Sequence, residues 1–201
     1  VSWNKNVVKV FESIYFPEKA LKRESDSFII DLINAEPAGS VVLDYGCGIG
    51  RYYHFLKETN SQVAYIGYDN SKDMIERAKE KFLDALFTDT LPEQVADIVL
   101  AVDVVQYAKS FDELKQNINQ IVNSGKKAIF HFWFKDADEA FEVGMDTERL
   151  WEFFPSIESI TELVNSLTGD VKIQLFEKQL PYKSAVLIIA PVAEVKATKK
   201  K

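Results

Sequence analysis

The sequence predicts an α/β fold, a doubly wound sheet of about seven strands, mostly parallel, with helices on both faces and a C-terminal antiparallel hairpin. Three observations predict it. Short apolar runs alternate with helical stripes from Val41 to Phe134, the pattern of successive βαβ units. The first run empties into a glycine-rich turn, Gly46-Cys47-Gly48-Ile49-Gly50. The last two runs, Val171–Lys178 and Ser184–Ala190, are separated only by a turn at Leu180-Pro181. That link is too short for a parallel crossover, so the pair must be antiparallel.

Taken in order, Val7, Val10, Phe11 and Ile14 share one helical face that ends at Pro17. Leu21, Phe28, Ile29, Leu32 and Ile33 share a second, which stops at Pro37-Ala38-Gly39. Val41–Asp44 is the first strand, and Arg51–Glu58 the helix after the glycine turn. Val63–Tyr68 follows as a strand, then a helix with Ser71 as N-cap and Met74, Ile75, Ala78 and Phe82 facing inward. Ala85–Thr88 and Asp97–Val102 are the next strands. Ser110 and Glu113 open a helix carrying Leu114, Ile118 and Ile121, and Lys127–Phe134 is the fifth strand. A helix capped by Ser159 and Glu162 stops near Gly169. One domain results: residues 1–38 as N-terminal helices covering the strand ends, 39–192 as the core, and 193–201 as a basic, disordered tail.

Composition narrows the function. The 201 residues carry a formal charge of −7, and the one dense basic run is Lys196–Lys201. Backbone binding to nucleic acid usually needs a basic face, so nucleic acid is disfavoured as a partner. No apolar run approaches the roughly 18 residues that cross a bilayer, so no membrane is expected. The lone Cys47 excludes an internal disulfide, and a cytoplasmic location is expected. No metal site is predicted, and the sequence does not speak to oligomeric state.

The chemistry gathers at the turn. Three alternate glycines between a strand and a helix let a ligand approach the backbone, and the helix start offers N–H groups to a polar ligand. Ligands of such sheets sit at the carboxyl ends of the strands. The dinucleotide fingerprint fails because Arg51 occupies its sixth position, and no Gly-Lys-Ser/Thr follows as a phosphate loop requires. Asp69 ends the second strand, where an ionised carboxylate can accept both hydroxyls of a ribose.

Asp44-Tyr45-Gly46-Cys47-Gly48-Ile49-Gly50 resembles the first motif of the class I S-adenosylmethionine-dependent methyltransferases, which have a Rossmann-like fold, and the resemblance runs from about Val41 to Pro191. It implies S-adenosylmethionine as cofactor and S-adenosylhomocysteine as product. It implies that Asp44, Gly46, Cys47, Gly48 and Gly50 frame the methionine end and that Asp69 and Asn70 take the ribose. Asp89 or Thr90 would meet the adenine, and Ala101 and Asp103 would line the site after the fourth strand.

Methyl transfer is an in-line displacement whose reactivity the cofactor carries, so a general base is needed only if the acceptor loses a proton. His131, late in the fifth strand, could take that proton, Asp103 and Tyr107 are the other candidate catalytic residues, and His54 reads as a surface residue. Asp136, Asp138, Glu139, Glu142, Asp146, Glu148 and Glu152 make the following segment acidic, either as a rim favouring a cationic acceptor or as a solvated helix face. Tyr15, Tyr107 and Trp133 could wall the acceptor pocket. The resemblance favours a small-molecule acceptor, an amine or hydroxyl. A protein acceptor and a cofactor-binding protein without methyl transfer are the alternatives.

Overall fold

A computed structural model describes residues 5, 8, 9, 12, 22–93, 95–145, 148–167, 169–176 and 183–190. The helical stripe of Val7, Val10, Phe11 and Ile14, together with Tyr15, Pro17, Leu21, the Leu180-Pro181 turn and the 193–201 tail, lies outside these residues.

The described elements are α1 (Glu24–Asn34), β1 (Val41–Tyr45), α2 (Arg51–Glu58), β2 (Ala64–Tyr68), α3 (Lys72–Lys81), β3 (Leu86–Thr88), β4 (Ala96–Val102), α4 (Phe111–Val122) and β5 (Gly125–Phe134). After them come β6 (Glu139–Met145), β7 (Glu148–Phe154), α5 (Ile157–Ser166), β8 (Asp170–Phe176) and β9 (Lys183–Ala190). Seven strands form one sheet in the order β3-β2-β1-β4-β5-β9-β8. The first five are parallel, while β9 runs antiparallel to both β5 and β8. The predicted fold class is therefore the observed one.

Alternation along each strand splits the core into two layers. Val42, Ile98, Leu100, Ile129 and Val186 face the α1–α2 side with Ile29, Ile33 and Phe55. Leu43, Val99, Phe130, Phe132 and Leu187 face the α4–α5 side with Leu114, Ile118 and Leu163. Ser71 caps α3 through the Met74 N–H, and Ser110 caps α4 through the Glu113 N–H. The Glu113 carboxylate reaches back to the Lys109 N–H, not to that of Ser110.

Two elements differ from expectation. The cap of α5 is Ser156, whose hydroxyl accepts from the Ser159 N–H, three residues before the predicted start. Asp138 explains the shift, because its carboxylate takes the Ser156 N–H and the Ser159 hydroxyl. The acidic segment is not a helix face: it forms the antiparallel pair β6–β7, with Phe141 opposite Glu152. The short aromatic-rich run Leu150-Trp151-Glu152-Phe153-Phe154 is the strand signal there. Phe153 and Phe154 are buried and Trp151 is exposed. This pair hangs on the loop after β4, since the Phe153 N–H donates to the Gln106 carbonyl at 2.8 Å.

Candidate active site

The glycine turn hangs from the end of β2. The Gly46 and Cys47 N–H groups donate to the Tyr68 carbonyl at 2.7 and 2.9 Å. Gly46 has φ +76, and a Cβ there would lie 2.5 Å from a methyl of Val104, so the β4 loop packs directly on the turn. Gly48, at φ +54, differs: a Cβ there meets nothing within 4 Å. Its position looks into open space, room in which a ligand can lie against the backbone. The helix α2 then starts at Gly50, which supplies no side-chain cap.

Asp69 joins the turn to the next helix. One carboxylate oxygen accepts the Gly48 N–H at 2.9 Å and the other the Ser71 N–H at 2.9 Å. A carboxylate has about four lone-pair sites, so two remain for ligand hydroxyls. Burial pushes its pKa up, and the two N–H donors oppose that. Asn70, Asp89 and Thr90 are exposed at the same edge. The Thr90 N–H is tied to the Thr88 hydroxyl at 3.1 Å.

Asp44 lies underneath. It is buried, and the Tyr65 hydroxyl donates to it at 2.6 Å. Burial, only partly offset by that donor, raises its pKa to about 7. Cys47 is buried with its thiol raised by burial, and Ala101 is fully buried inside β4.

At the ends of β4 and β5 the structure assembles a polar cluster. Asp103, the first residue past β4, adopts φ +57, a backbone region that aspartate visits more readily than most residues. One of its oxygens lies 2.6 Å from His131 Nδ1, and the other accepts from Arg23 at 2.9 Å. Behind Arg23, the fully buried Asp26 accepts from the Arg23 backbone and guanidinium, from Arg51 at 2.5 Å and from the Tyr52 hydroxyl at 2.8 Å. Burial, the largest single influence, would raise the pKa of Asp103, but Arg23, His131 and Arg51 together outweigh it and hold that carboxylate well below the usual range. Burial lowers the pKa of His131 despite Asp103. The pair is therefore a neutral imidazole donating its Nδ1–H to an ionised aspartate, which leaves Nε2 as a lone-pair acceptor. Nε2 is buried and has no hydrogen-bond partner among the described residues.

Of the residues expected at the site, the structure brings His131 and Asp103 into contact. Tyr107 is half-buried in the same loop, where its carbonyl accepts from Asn117 at 3.4 Å. Trp133 packs against the His131 ring and under the Arg23 guanidinium. His54 sits on the surface, 3.4 Å from Glu58. Sequence reading missed Arg23, Asp26, Arg51 and Tyr52. Asp26 did leave a signal: with Ile29, Ile30 and Ile33 it occupies the buried face of α1, where a carboxylate needs partners.

Comparison with known proteins places this geometry. A family model described as a methyltransferase domain matches residues 37–136. Over 136 residues the chain is 25% identical to the tRNA (carboxymethyluridine(34)-5-O)-methyltransferase of Mus musculus, covering 64% of this chain and 20% of that protein. It is 32% identical over 94 residues to the trans-aconitate 2-methyltransferase of Rhodopseudomonas palustris, covering 44% and 37%. The chain thus spans about a fifth of the length of the tRNA methyltransferase it matches. Among solved structures, the magnesium protoporphyrin IX methyltransferase of Synechocystis PCC 6803, crystallised with bound S-adenosylmethionine, superposes with a TM-score of 0.67 over 94% of this chain and 93% of that one, at 14% identity.

These relatives correct one expectation. A small-molecule acceptor with nucleic acid disfavoured does not stand, because several relatives are by name tRNA methyltransferases, including those of Mus musculus and Arabidopsis thaliana. A net charge of −7 averages over the whole surface, and relatives several times longer carry much of their surface outside the shared segment. No helix among the described residues is long and apolar enough to cross a membrane. Glycine turn, sheet order and family match agree: the chain belongs to the class I S-adenosylmethionine-dependent methyltransferases.

Proposed function

We propose that this chain holds S-adenosylmethionine across the glycine turn and passes its methyl group to an acceptor on tRNA, presented at the ends of β4 and β5. The observation that carries the cofactor half is the Gly48–Asp69 junction. A backbone N–H at 2.9 Å fixes the carboxylate, lone pairs remain for a ribose, and open space lies over Gly48. The tRNA half is supported by the relatives' printed names.

In this reading Gly46, Cys47, Gly48 and Gly50 border the methionine end, with Asp44 bracing the turn from below. Asp69 and Asn70 hold the ribose, and Asp89 or Thr90 meets the adenine. Ala101 backs the sulfonium from within β4. Residues 1–38 cover the site; Val8 supports this, packed against Ile49 of the turn and Met74 of α3. Residues 39–192 form the core of the same domain.

When bound, the cofactor supplies a methyl group on a positively charged sulfur, and in-line approach of a nucleophile is enough for transfer. Asp103 fixes the tautomer of His131, so that Nε2 can accept an acceptor's proton, with Tyr107 alongside. Arg23 and Arg51 keep Asp103 ionised, and the packed strand ends exclude water.

Incubation with tritiated S-adenosylmethionine and total tRNA tests this reading, with a protein extract and its low-mass fraction as parallel acceptors. Label in tRNA is expected, and His131→Ala lowers its rate by about 100-fold or more, the range of a lost general base. Label confined to polypeptide or to small molecules contradicts the tRNA acceptor. Binding with no label anywhere favours a cofactor-binding protein without transfer.

A further inference from the structure

Around Asp103 the described side chains include acceptors that lack donors. His131 Nε2 is one, buried and unmatched. The side-chain oxygen of Gln106, in the same loop, is another. A third comes from a different element. Glu152 lies on β7, directly before Phe153, whose N–H ties this strand to the Gln106 carbonyl. Phe153 turns into the core, so alternation turns Glu152 to the opposite side, and there its half-buried carboxylate feels the charge of Asp103. Burial first, and Asp103 second, push its pKa up. No hydrogen bond to Glu152 is found among the described residues.

Charge points the same way. Asp26 and Asp103 face Arg23 and Arg51, Glu152 adds a third carboxyl group within reach of the charge of Asp103, and His131 is neutral, so the cluster holds one more carboxyl group than guanidinium. Both guanidiniums are already engaged, Arg23 by Asp26 and Asp103 and Arg51 by Asp26. An incoming anion would meet excess negative charge and acceptor atoms. A group rich in N–H bonds would satisfy them and remove the cost of leaving buried acceptors unpaired.

We propose that Glu152 and His131 together form the acceptor subsite, and that the group they take is an amine, in contrast to the carboxymethyl group named for the tRNA-acting relatives. The proposal rests on the methyltransferase reading above and deepens it. One N–H of the amine donates to Glu152, which orients the nitrogen, and another donates to His131 Nε2. The nitrogen lone pair forms the new N–C bond as the C–S bond breaks, the sulfur leaves as the neutral thioether, and the nitrogen's proton passes to Nε2. The positive charge that arrived on sulfur ends on the imidazolium beside ionised Asp103.

The test uses the protein saturated with S-adenosylhomocysteine and labelled with ¹⁵N-histidine, His54 serving as the surface reference. Methylammonium chloride and sodium acetate are titrated separately while the His131 resonances are followed. Methylammonium is expected to shift Nε2, acetate is not, and Glu152→Gln should weaken the methylammonium response about tenfold, as for a lost charge-assisted hydrogen bond. Glu152→Gln that still binds S-adenosylhomocysteine normally shows that the fold is intact. A response to acetate equal to or stronger than that to methylammonium overturns the proposal, as does silence from both probes. An unchanged methylammonium response in Glu152→Gln also overturns it. Failure of the wild type to bind S-adenosylhomocysteine would overturn the methyltransferase reading itself, and the proposal with it.

Discussion

Two glycines in one turn separate folding from binding. At Gly46 a methyl group would strike Val104 and sit at positive φ, so Gly46→Ala should destabilise the protein by about 1–3 kcal/mol. At Gly48 there is room, and Gly48→Ala costs only the left-handed backbone term, roughly 1–2 kcal/mol. It nevertheless puts a methyl where the cofactor should lie. Thermal melts beside cofactor titrations check the pair: Gly46→Ala should lower the melting temperature more, and Gly48→Ala should lose more affinity. Asp44 offers a second test. Its folded pKa of about 7 lies above the ordinary aspartate value of 3.8. The stability that goes with its protonated form is complete below about pH 4 and is lost as pH rises through 7. Asp44→Asn, whose amide oxygen can still accept from Tyr65, should therefore be more stable than wild type at pH 8 and no more stable at pH 4. Urea melts at the two pH values measure this. At this scale the turn and Asp69 were legible because each is a local motif at a strand end. The Arg23–Asp103 bond spans 80 positions, and only tertiary packing brings it about.

Val8 packs on Ile49 of the glycine turn and Met74 of α3, and the β6–β7 pair hangs on the loop after β4. Glu12 accepts from Arg77 and Lys81 on α3 and is held at a pKa of about 2 chiefly by those hydrogen bonds. Its lowered pKa means that the clasp is whole above the ordinary glutamate value of 4.5 and opens as pH falls toward 2. Because the pair is partly exposed, it contributes only ~0.5–1 kcal/mol. Glu12→Gln should thus speed cofactor release by about two- to fivefold, in stopped-flow displacement of S-adenosylhomocysteine, and added salt should narrow the difference from wild type. The elements from β1 to β5 were legible because each is a short apolar run with a turn or cap at its ends. β6–β7 was not, because Glu152 interrupts its aromatic run and an acidic surface suits a helix or a strand equally well.

Over the whole molecule, strand order places the chemistry. In the order β3-β2-β1-β4-β5 the chain reverses direction of travel between β1 and β4, and the crevice outside that switch is where such sheets bind ligands. Gly48 and Asp69 stand on one side of it and Asp103 and His131 on the other, so in the proposed reading cofactor and acceptor meet at the carboxyl end of the sheet. The antiparallel finish at β8 and β9 was legible from the brevity of their connection. What the acceptor is was not legible, since the two groups proposed to take it, His131 and Glu152, stand on different strands and share no local pattern. Net charge was a poor guide for the same reason: it sums a surface whose parts act separately.

The most direct measurement is calorimetric titration of the purified protein with S-adenosylmethionine, beside Asp69→Ala. The wild type should bind one equivalent, and Asp69→Ala should bind about ten- to a hundredfold more weakly, the worth of hydrogen bonds to an ionised acceptor. Absence of binding by a folded wild type, or equal affinity in the two proteins, would contradict the assignment of the glycine turn and Asp69 as the cofactor site.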